Sequence, residues 1–362
     1  MGDLSITTAT TSNMSNNVPN VVVPSKDTDG ISGDGETEWV NTKWQQYWGY
    51  FNNCPDLKSA LLMKAIWNVG KGFTTDPETS VILDHISGWG KDTFDDILFN
   101  MEVIKRVGGD SFAEIMRDSD TGIIINLKPL DPATIKIIVD EKGIIKRYEQ
   151  MNKIKGGIPM KFKPEDILHL SNNRLADQIH GISDIEGLED TILAEYENFK
   201  DMKAIMHHQA RPMIMFKLGT DDQTKINQFA DKMDKAVNKA ENIYIPDDKN
   251  SVSFEVVQVA VSQIILEWRN DIRNKFYRTI GLPQIIPGAG GQGTESEGKV
   301  IYLAFEQLVE KDQRYIEKQL WNQLQLKINL YPPASLMPDL QQDQSKDTGQ
   351  MNTQMNVAGV AE

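Results

Sequence analysis

The chain has 362 residues, 40% of them hydrophobic and 25% charged, which is the composition of a folded protein long enough for two or three compact units. Its 52 acidic and 38 basic side chains give a formal net charge of −14. This balance excludes a protein that grips nucleic acid by neutralising phosphates, whereas it suits an acidic wall along which DNA slides. The pattern predicts neither a secretory signal nor a membrane span, and the single Cys54 is expected to be a buried thiol in a reducing compartment.

The first half of the chain predicts helices followed by strands. Residues 1–36 are rich in Ser, Thr, Asn, Asp and Gly and predict a disordered arm. Aromatic residues from Trp39 onwards and the segment ending at Gly70 and Gly72 predict core helices. A further helix is predicted over 93–107, with its charged residues opposite a buried apolar face. That face comprises Phe94, Ile97, Leu98, Met101 and Ile104.

Next, β-branched runs around the turn Glu141-Lys142-Gly143 predict a hairpin, and a short strand is predicted over 167–170. Ser183, followed by acidic residues, predicts the start of a long helix that continues to about residue 208. Its apolar stripe comprises Leu188, Ile192, Tyr196, Phe199 and Met206. The strands and the long helix together predict that an α+β arrangement follows the helical start of the chain.

The second half predicts an αβ insertion between two helices. A strand at 213–218, an amphipathic helix at 221–241 and a strand pair at 243–245 and 252–259 form the insertion. A helix over 262–280 and a third long helix over 300–327 follow it. The expected buried positions of the third helix are Phe305, Leu308, Tyr315, Ile316, Leu320 and Leu324. From Tyr331 the chain is rich in Pro and Gln, which predicts a flexible tail.

A glycine-rich loop before the third helix raises the alternative of nucleotide binding. Gly288, Gly290 and Gly293 satisfy the G-x-G-x-x-G pattern, and 293–299 comes within one residue of a phosphate-binding loop. However, Val300 stands where a magnesium-binding Ser or Thr is required, and the loop follows a helix rather than a strand. Glu295 and Glu297 would also repel a phosphate. We therefore expect a mobile loop, with no cofactor.

Metal and catalytic sites are not predicted either. His207 and His208 are adjacent on a helix, so their rings point about 100° apart and cannot share a metal ion. His169 and His180 lie in different elements and are expected to be satisfied by hydrogen bonds. Packing in the core or in an interface is the expected role of the tryptophans at 39, 44, 48, 67 and 89. We expect a protein that is not an enzyme.

Several passages, in this order, resemble the portal proteins of tailed phages over about residues 39–330. The resembling passages are GIIINLKPLDPATIKIIVDEKGIIKRYEQ, FKPEDILHLS, GISDIEGLEDTILAEYENFKDM, ARPMIMFKL and FYRTIGLPQIIPG. The resemblance implies an α+β portal fold, with a helical wing, two stem helices, an αβ clip insertion, a tunnel loop and a long wing helix. Many portals also build a helical crown at the C-terminus, and we expect that crown to be short or absent.

The resemblance divides the chain into eight segments. They are an N-terminal arm (1–36), a wing (37–182), a first stem helix (183–208), a clip (209–259), a second stem helix (260–281), a tunnel loop (282–299), a wing helix (300–330) and a tail with any residual crown (331–362).

The resemblance also implies candidate site residues. The tunnel-loop candidates are Gly288, Gly290, Gly291, Gln292, Gly293, Thr294 and Lys299. The clip candidates for partner contact are Lys225, Lys232, Lys235 and Lys239. The candidates for pairing of charges between subunits are Glu195, Arg269, Arg273 and Arg278.

The function implied is that of a ring, expected to be a dodecamer, at one capsid vertex, through which DNA is packaged, retained and ejected. Implied partners are the large terminase subunit, a head-tail adaptor or connector protein, the major capsid protein or scaffold, and double-stranded DNA, with no membrane. The implied location is the virion, with the host cytoplasm during assembly. Two alternatives remain open: a nucleotide-binding packaging enzyme and another head-tail connector ring, which would lack the αβ insertion.

Overall fold

A computed structural model describes residues 37–140, 142–151, 158–176, 178–210, 213–218, 222–239, 252–257, 263–284 and 295–335. The chain divides into two compact units. The first combines Met1–Glu186 with Pro283–Glu362, and the second is Gly187–Leu282. The described residues form helices and antiparallel sheets, so the predicted α+β class is confirmed.

The first unit contains five helices and nine strands among its described residues. The helices are α1 (Trp44–Asn53), α2 (Pro55–Val69), α3 (Pro77–His85), α4 (Phe94–Gly108) and α8 (Glu295–Leu324). The strands are β1 (Thr37–Val40), β2 (Phe73–Thr75), β3 (Asp110–Arg117), β4 (Ile124–Leu130), β5 (Ile135–Val139), β6 (Ile145–Gln150), β7 (Met160–Phe162), β8 (Ile167–Ser171) and β11 (Ile328–Leu330).

Three antiparallel sheets organise this unit. Their strand orders are β1-β5-β6-β7, β4-β3-β8 and β11-β2. Strand β3 is buried on both faces, because Phe112 packs among residues of the four-stranded sheet while Ala113 and Ile115 pack against the helices. The predicted hairpin is confirmed, since β5 and β6 pair antiparallel and the Gly143 N–H donates to the carbonyl oxygen of Asp140. Trp39, expected in a helix, lies in β1 opposite Ile137 instead.

Helix α4 begins and ends at the predicted signals. Thr93 and Asp96 form a reciprocal capping box, and Gly109 follows the helix with φ of 90°, a conformation that favours glycine. Four of the predicted apolar positions, including Ile97 and Met101, are buried. The expectation that the charged residues sit on an exposed face is wrong for the second half of the helix. There the side chains of Glu102, Lys105 and Arg106 are buried as well.

The free edge of β4 is closed to further strands. Asn126 Oδ1 accepts hydrogen bonds from the backbone N–H groups of Ser87 (3.1 Å), Gly88 (2.8 Å) and Leu127 (2.9 Å). Three residues after Asn126, Pro129 has no N–H to offer. The loop at 87–88 and these two residues therefore occupy the positions at which another strand would pair.

Helix α8 begins and ends earlier than predicted, and strand β11 follows it. Residues 295–299, assigned to the tunnel loop, are helical, and residues 328–330, assigned to the wing helix, form β11 and pair with β2. Phe305, Ile316, Leu320 and Leu324 are buried as predicted, and Tyr315 is half-buried. Leu308, however, is 51% exposed. Leu308 therefore does not lie on the buried face of α8.

The second unit contains α5 (Glu189–Ala210), β9 (Met213–Leu218), α6 (Gln223–Lys239), β10 (Val252–Val257) and α7 (Gln263–Ile280). Strands β9 and β10 pair antiparallel, with Met215 opposite Glu255. The strand predicted at 243–245 lies outside the described residues. Helix α5 begins six residues after Ser183, because the Ser183 hydroxyl donates to Val107 O (2.6 Å) and accepts from Ile185 N–H (3.0 Å). It caps the turn that precedes the helix.

Candidate functional site

Helices α5 and α7 pack together and bury only one end of each. Ile192 near the start of α5 is buried, as are Ile272, Phe276 and Ile280 towards the end of α7. The rest of both helices carries large apolar side chains that are 40–72% exposed. They are Leu193, Tyr196, Phe199 and Met206 on α5 and Ile264, Leu266 and Trp268 on α7. An apolar surface of this size is typical of contact with another protein.

A cleft of about 490 Å³ lies between α5 and α7. Its walls combine Ile265 and Trp268 with the carboxylates of Glu197 and Asp201. A cavity with acidic and apolar walls suits a basic or apolar protein side chain and disfavours a phosphate. The chemistry of this cleft therefore favours contact with a protein.

The two helices differ in charge. Helix α5 has five acidic and two basic residues, a formal charge of −3, whereas α7 has two acidic and four basic residues, a formal charge of +2. Copies of one chain that place α5 beside α7 of a neighbour would therefore attract each other locally. This contact would be head-to-tail, the type that closes into rings.

The predicted pairing residues lie on these helices. Glu195 is half-buried on α5, and Arg269 and Arg273 are exposed on α7. Arg278, in the last turn of α7, donates from Nε to the carbonyl oxygen of Asn274 at 3.2 Å. Their pairing between subunits stays a prediction.

Two groups of predicted site residues are described only in part. Lys225, Lys232, Lys235 and Lys239 all lie on α6, and the side chain of Lys232 is exposed. The side chains of the other three lie outside the described part. Gly288, Gly290, Gly291, Gln292, Gly293 and Thr294 also lie outside the described residues. Lys299 lies in the second turn of α8, with its side chain half-buried.

The nucleotide-binding alternative loses support from the start of α8. A phosphate-binding loop needs its Gly-Lys pair at the first free N–H groups of a helix. Helix α8 already begins at Glu295, so Gly298 is its fourth residue and Lys299 its fifth. Glu295 and Glu297 occupy the start of the helix instead.

The tryptophans divide between packing and exposure. Trp44 is buried, Trp39 stacks on His180 with ring centroids 4.2 Å apart, and Trp67 contacts Phe305 edge-on. Trp48 is partly exposed, and Trp89 is 68% exposed, with Lys128 Nζ above its ring. Trp89 therefore does not pack in the core of the chain, and its packing in an interface stays a prediction. Cys54, expected to be buried, is only half-buried.

A buried ionic cluster in the first unit was not predicted. We name the Arg106 cluster after its centre, which lies 2.8 Å from Glu102, 3.2 Å from Asp184 and 2.7 Å from Asp312. Lys105 pairs with Glu102 at 2.6 Å, and Lys64 pairs with Asp184 at 2.8 Å. The sequence carries one signal for it, the acid-base spacing of i, i+3 and i, i+4 from Glu102.

The charged state of this cluster is stable. Burial alone would raise the pKa of Asp184, but the positive charges of Lys64 and Arg106 hold it well below its usual range. Asp312 follows the same pattern, since Arg106 and Lys105 outweigh burial and lower its pKa. Burial disfavours charge on Arg106 too, yet its three carboxylate partners raise its pKa. All three groups stay ionised near neutral pH.

A second buried chain of polar groups joins the sheet β4-β3-β8 to the sheet β1-β5-β6-β7. His169 Nε2 lies 2.7 Å from Asp110 Oδ1, and His169 Nδ1 lies 3.0 Å from the Tyr148 hydroxyl. Asp110 also accepts from Gly181 N–H at 2.9 Å. Burial, and then the charge of Asp110, raise the pKa of Tyr148. The expectation that His169 is satisfied by hydrogen bonds is confirmed.

Within the described part of the chain, no group of three or more His, Cys, Asp or Glu residues is arranged to hold a metal ion. The described helices also include none that is long and apolar enough to cross a membrane.

Comparison with known proteins gives a likeness in structure alone. No family model and no curated protein matches the sequence. A chain from the neck of an empty gene transfer agent particle, computed with C6 symmetry, aligns with a TM-score of 0.64 and 14% identity over 91% of this chain and 93% of that chain.

Two further chains give the same result. A chain from the neck of the native particle, computed with C12 symmetry, aligns with a TM-score of 0.62 and 15% identity over 90% of this chain and 92% of that one. A chain from the virion of the native particle aligns with a TM-score of 0.62 and 15% identity over 92% and 93%. The chain has the fold of these proteins, in agreement with the resemblance of its sequence to portal proteins.

Proposed function

We propose that this chain is the portal protein of a tailed virus or a related particle. It forms a closed ring at one capsid vertex, and DNA enters and leaves through the centre of the ring. The observation that carries the proposal is the fold shared over about nine-tenths of both chains with proteins of a particle neck. One of those necks was computed with C12 symmetry, which supports a dodecamer.

The surface of the second unit supports association into a ring. Helices α5 and α7 expose apolar side chains and carry opposite net charges, which suits a head-to-tail contact between copies. The formal charge of −14 suits a channel that conducts DNA without holding it. We assign no catalytic reaction to the chain and expect no ATP turnover.

The proposed partners follow from a place at the vertex. They are the large terminase subunit during packaging, a head-tail adaptor afterwards, and the major capsid protein or scaffold around the ring. The clip, centred on α6, would meet the first two in turn, and its exposed Lys232 is a suitable contact. The loop that precedes α8 would face the DNA.

Electron microscopy of the purified protein, combined with mass photometry, tests the proposal. We expect closed rings with an axial hole wide enough for duplex DNA, and a mass of twelve 40.8 kDa chains. A single chain or dimer at every salt concentration, or ATP hydrolysis by the pure protein, would instead favour a nucleotide-binding enzyme. Rings without a duplex-sized hole would favour another connector protein.

Substitution of Phe199 tests the assembly surface. Phe199 is 65% exposed on α5, so Phe199→Ser should leave the fold of the single chain intact while it removes apolar area from the contact. We expect fewer rings at equal protein concentration, with an unchanged circular dichroism spectrum. Ile66→Ser, at a 53% exposed position on α2 of the first unit, is the matched control. An equal loss of rings in both variants would contradict a specific role for α5.

A further inference from the structure

The guanidinium of Arg106 binds three separate parts of the chain. Its Nε lies 2.8 Å from Glu102 on the same helix, Nη1 lies 3.2 Å from Asp184, and Nη2 lies 2.7 Å from Asp312 on α8. Asp184 and Asp312 are 78 and 206 residues away in the sequence. The two Nη atoms donate hydrogen bonds to Asp184 and Asp312, whereas the contact of Nε with Glu102 is an ion pair alone. A planar, delocalised charge is suited to this task, whereas a lysine offers a single point of charge.

We call the contacts of Arg106 with Glu102, Asp184 and Asp312 its three arms. In the Asp184 arm the carboxylate is buried and has further partners. Asp184 Oδ2 also pairs with Lys64, and Oδ1 accepts from Asn172 Nδ2 at 2.7 Å. The backbone N–H of Asp184 donates to the carbonyl oxygen of Arg106 at 3.0 Å. The Ser183 hydroxyl donates to Val107 O. Residues 183–184 are thus fastened to the end of α4, a few residues before the second unit begins at Gly187.

The Asp312 arm is the most exposed of the three contacts. The Asp312 side chain is 22% exposed, compared with 8% for Asp184 and 0% for Glu102. Lys311 Nζ lies 3.4 Å from the other oxygen of Asp312, so a released carboxylate keeps water and a positive charge beside it. Breaking a buried ion pair is costly mainly because a charge is left without solvent or a partner. Of the three arms, the Asp312 arm therefore opens at the lowest cost.

We infer that Arg106 is a latch that couples the position of α8 to the segment entering the second unit. Movement of α8 breaks the Asp312 arm and leaves Arg106 with the Asp184 and Glu102 arms alone. This redistribution changes the hold on residues 183–184. The coupling acts in both directions, because linkage between two sites is reciprocal. It operates within one chain and does not require that copies form a ring.

Hydrogen exchange of the full-length chain, read by mass spectrometry, tests the latch. Asp312→Asn should raise exchange about tenfold in residues 181–186, to which Asp312 is joined through Arg106, as well as in α8 around residue 312. Lys64→Gln weakens the opposite arm at Asp184 and should raise exchange by a similar factor in α8. Reciprocal effects of this kind are not expected if each ion pair stabilises its own segment only.

Glu310→Gln is the matched control, because it removes a carboxylate from the same helix that is not a partner of Arg106. It should leave residues 181–186 unchanged. Asn172→Ser provides a milder way to loosen Asp184 if Lys64→Gln fails to fold. The latch is disproved if Asp312→Asn affects α8 alone, or if Glu310→Gln reproduces its effect on residues 181–186.

Discussion

The Tyr148 hydroxyl lies between two sheets, with His169 Nδ1 as its partner at 3.0 Å. Because Asp110 lies 2.7 Å from Nε2, that nitrogen carries the hydrogen, and Nδ1 accepts from the hydroxyl. Tyr148→Phe leaves Nδ1 buried without its donor, and we expect it to lower the free energy of unfolding by about 1–3 kcal/mol. Urea unfolding followed by circular dichroism measures the change.

Tyr50→Phe is the control for this prediction. The Tyr50 hydroxyl accepts a hydrogen bond from Gln46 at the surface, where water can replace it, so the expected change is within about 0.5 kcal/mol. Equal effects of the two substitutions would show that the buried chain from Asp110 to Tyr148 contributes no more than a surface hydrogen bond.

The Arg106 cluster predicts how stability depends on acid. The folded pKa values of Asp184 and Asp312 lie below their unfolded value of about 3.9, so their contribution is complete above that pH and is lost as pH falls through the folded values. We expect their contribution to the urea midpoint to be constant from pH 7 to about 5 and to fall below about 4. Asp312→Asn should have a lower midpoint at pH 7 and a shallower fall. Parallel curves for both proteins would contradict the assignment.

In α4, the local sequence predicts the buried apolar residues but not the buried charged ones. The pattern from Phe94 to Met101 correctly located the apolar face of α4, because periodicity reports which positions face a core. It could not reveal that Lys105 and Arg106 are buried as well. Burial of these charges depends on Asp184 and Asp312, which are distant in the sequence, and no local pattern records such pairs. Charge alone therefore predicted an exposed face that does not exist in the second half of α4.

Helix α8 provides a comparison of two leucines at the scale of an element. Leu320 is fully buried and Leu308 is 51% exposed. Leu320→Ala should lower the free energy of unfolding by about 2–5 kcal/mol, because it leaves a cavity in the core. Leu308→Ala should change it by less than about 0.5 kcal/mol. Urea unfolding at a concentration where mass photometry finds single chains tests both, and a larger loss for Leu308→Ala would refute the position of the helix face.

Most helices and several strands were predictable, whereas some boundaries were not. Capping residues and glycines fixed the ends of α4, because those signals act locally. Ser183 gave a misleading signal, since it resembles a helix cap but is bonded to Val107. Strand β11 exists only because it pairs with β2, about 250 residues earlier in the chain. Such a strand follows from tertiary contacts and carries no signal of its own.

The charge of the whole molecule predicts the effect of salt on assembly. Each chain carries a formal charge of −14, so copies that approach each other repel until salt screens them. We expect the fraction of rings to rise as NaCl increases from about 0.02 M to 0.5 M, because the Debye length falls several-fold over that range. Mass photometry at constant protein concentration measures the fraction. Rings that dissociate as salt increases would show that charge pairs between α5 and α7 dominate.

At the scale of the whole chain, the exposed stripe on α5 marks the limit of the sequence. Leu188, Ile192, Tyr196, Phe199 and Met206 follow one helical period, and periodicity predicted a single buried face. Only the first two are buried within the chain, while Tyr196, Phe199 and Met206 are 58–65% exposed. Periodicity reports that a surface is apolar and does not report whether the same chain or another copy covers it.

The closed edge of β4 has a consequence for a protein that meets many copies of itself. An open edge would let sheets of different molecules join edge to edge through new strand pairs, and such growth has no natural limit. Asn126 and Pro129 close that route at the β4 edge. Association at this edge is thereby left to side-chain surfaces, whose geometry fixes how many copies fit. Protection against runaway fibre formation is built into this one strand edge before any assembly begins.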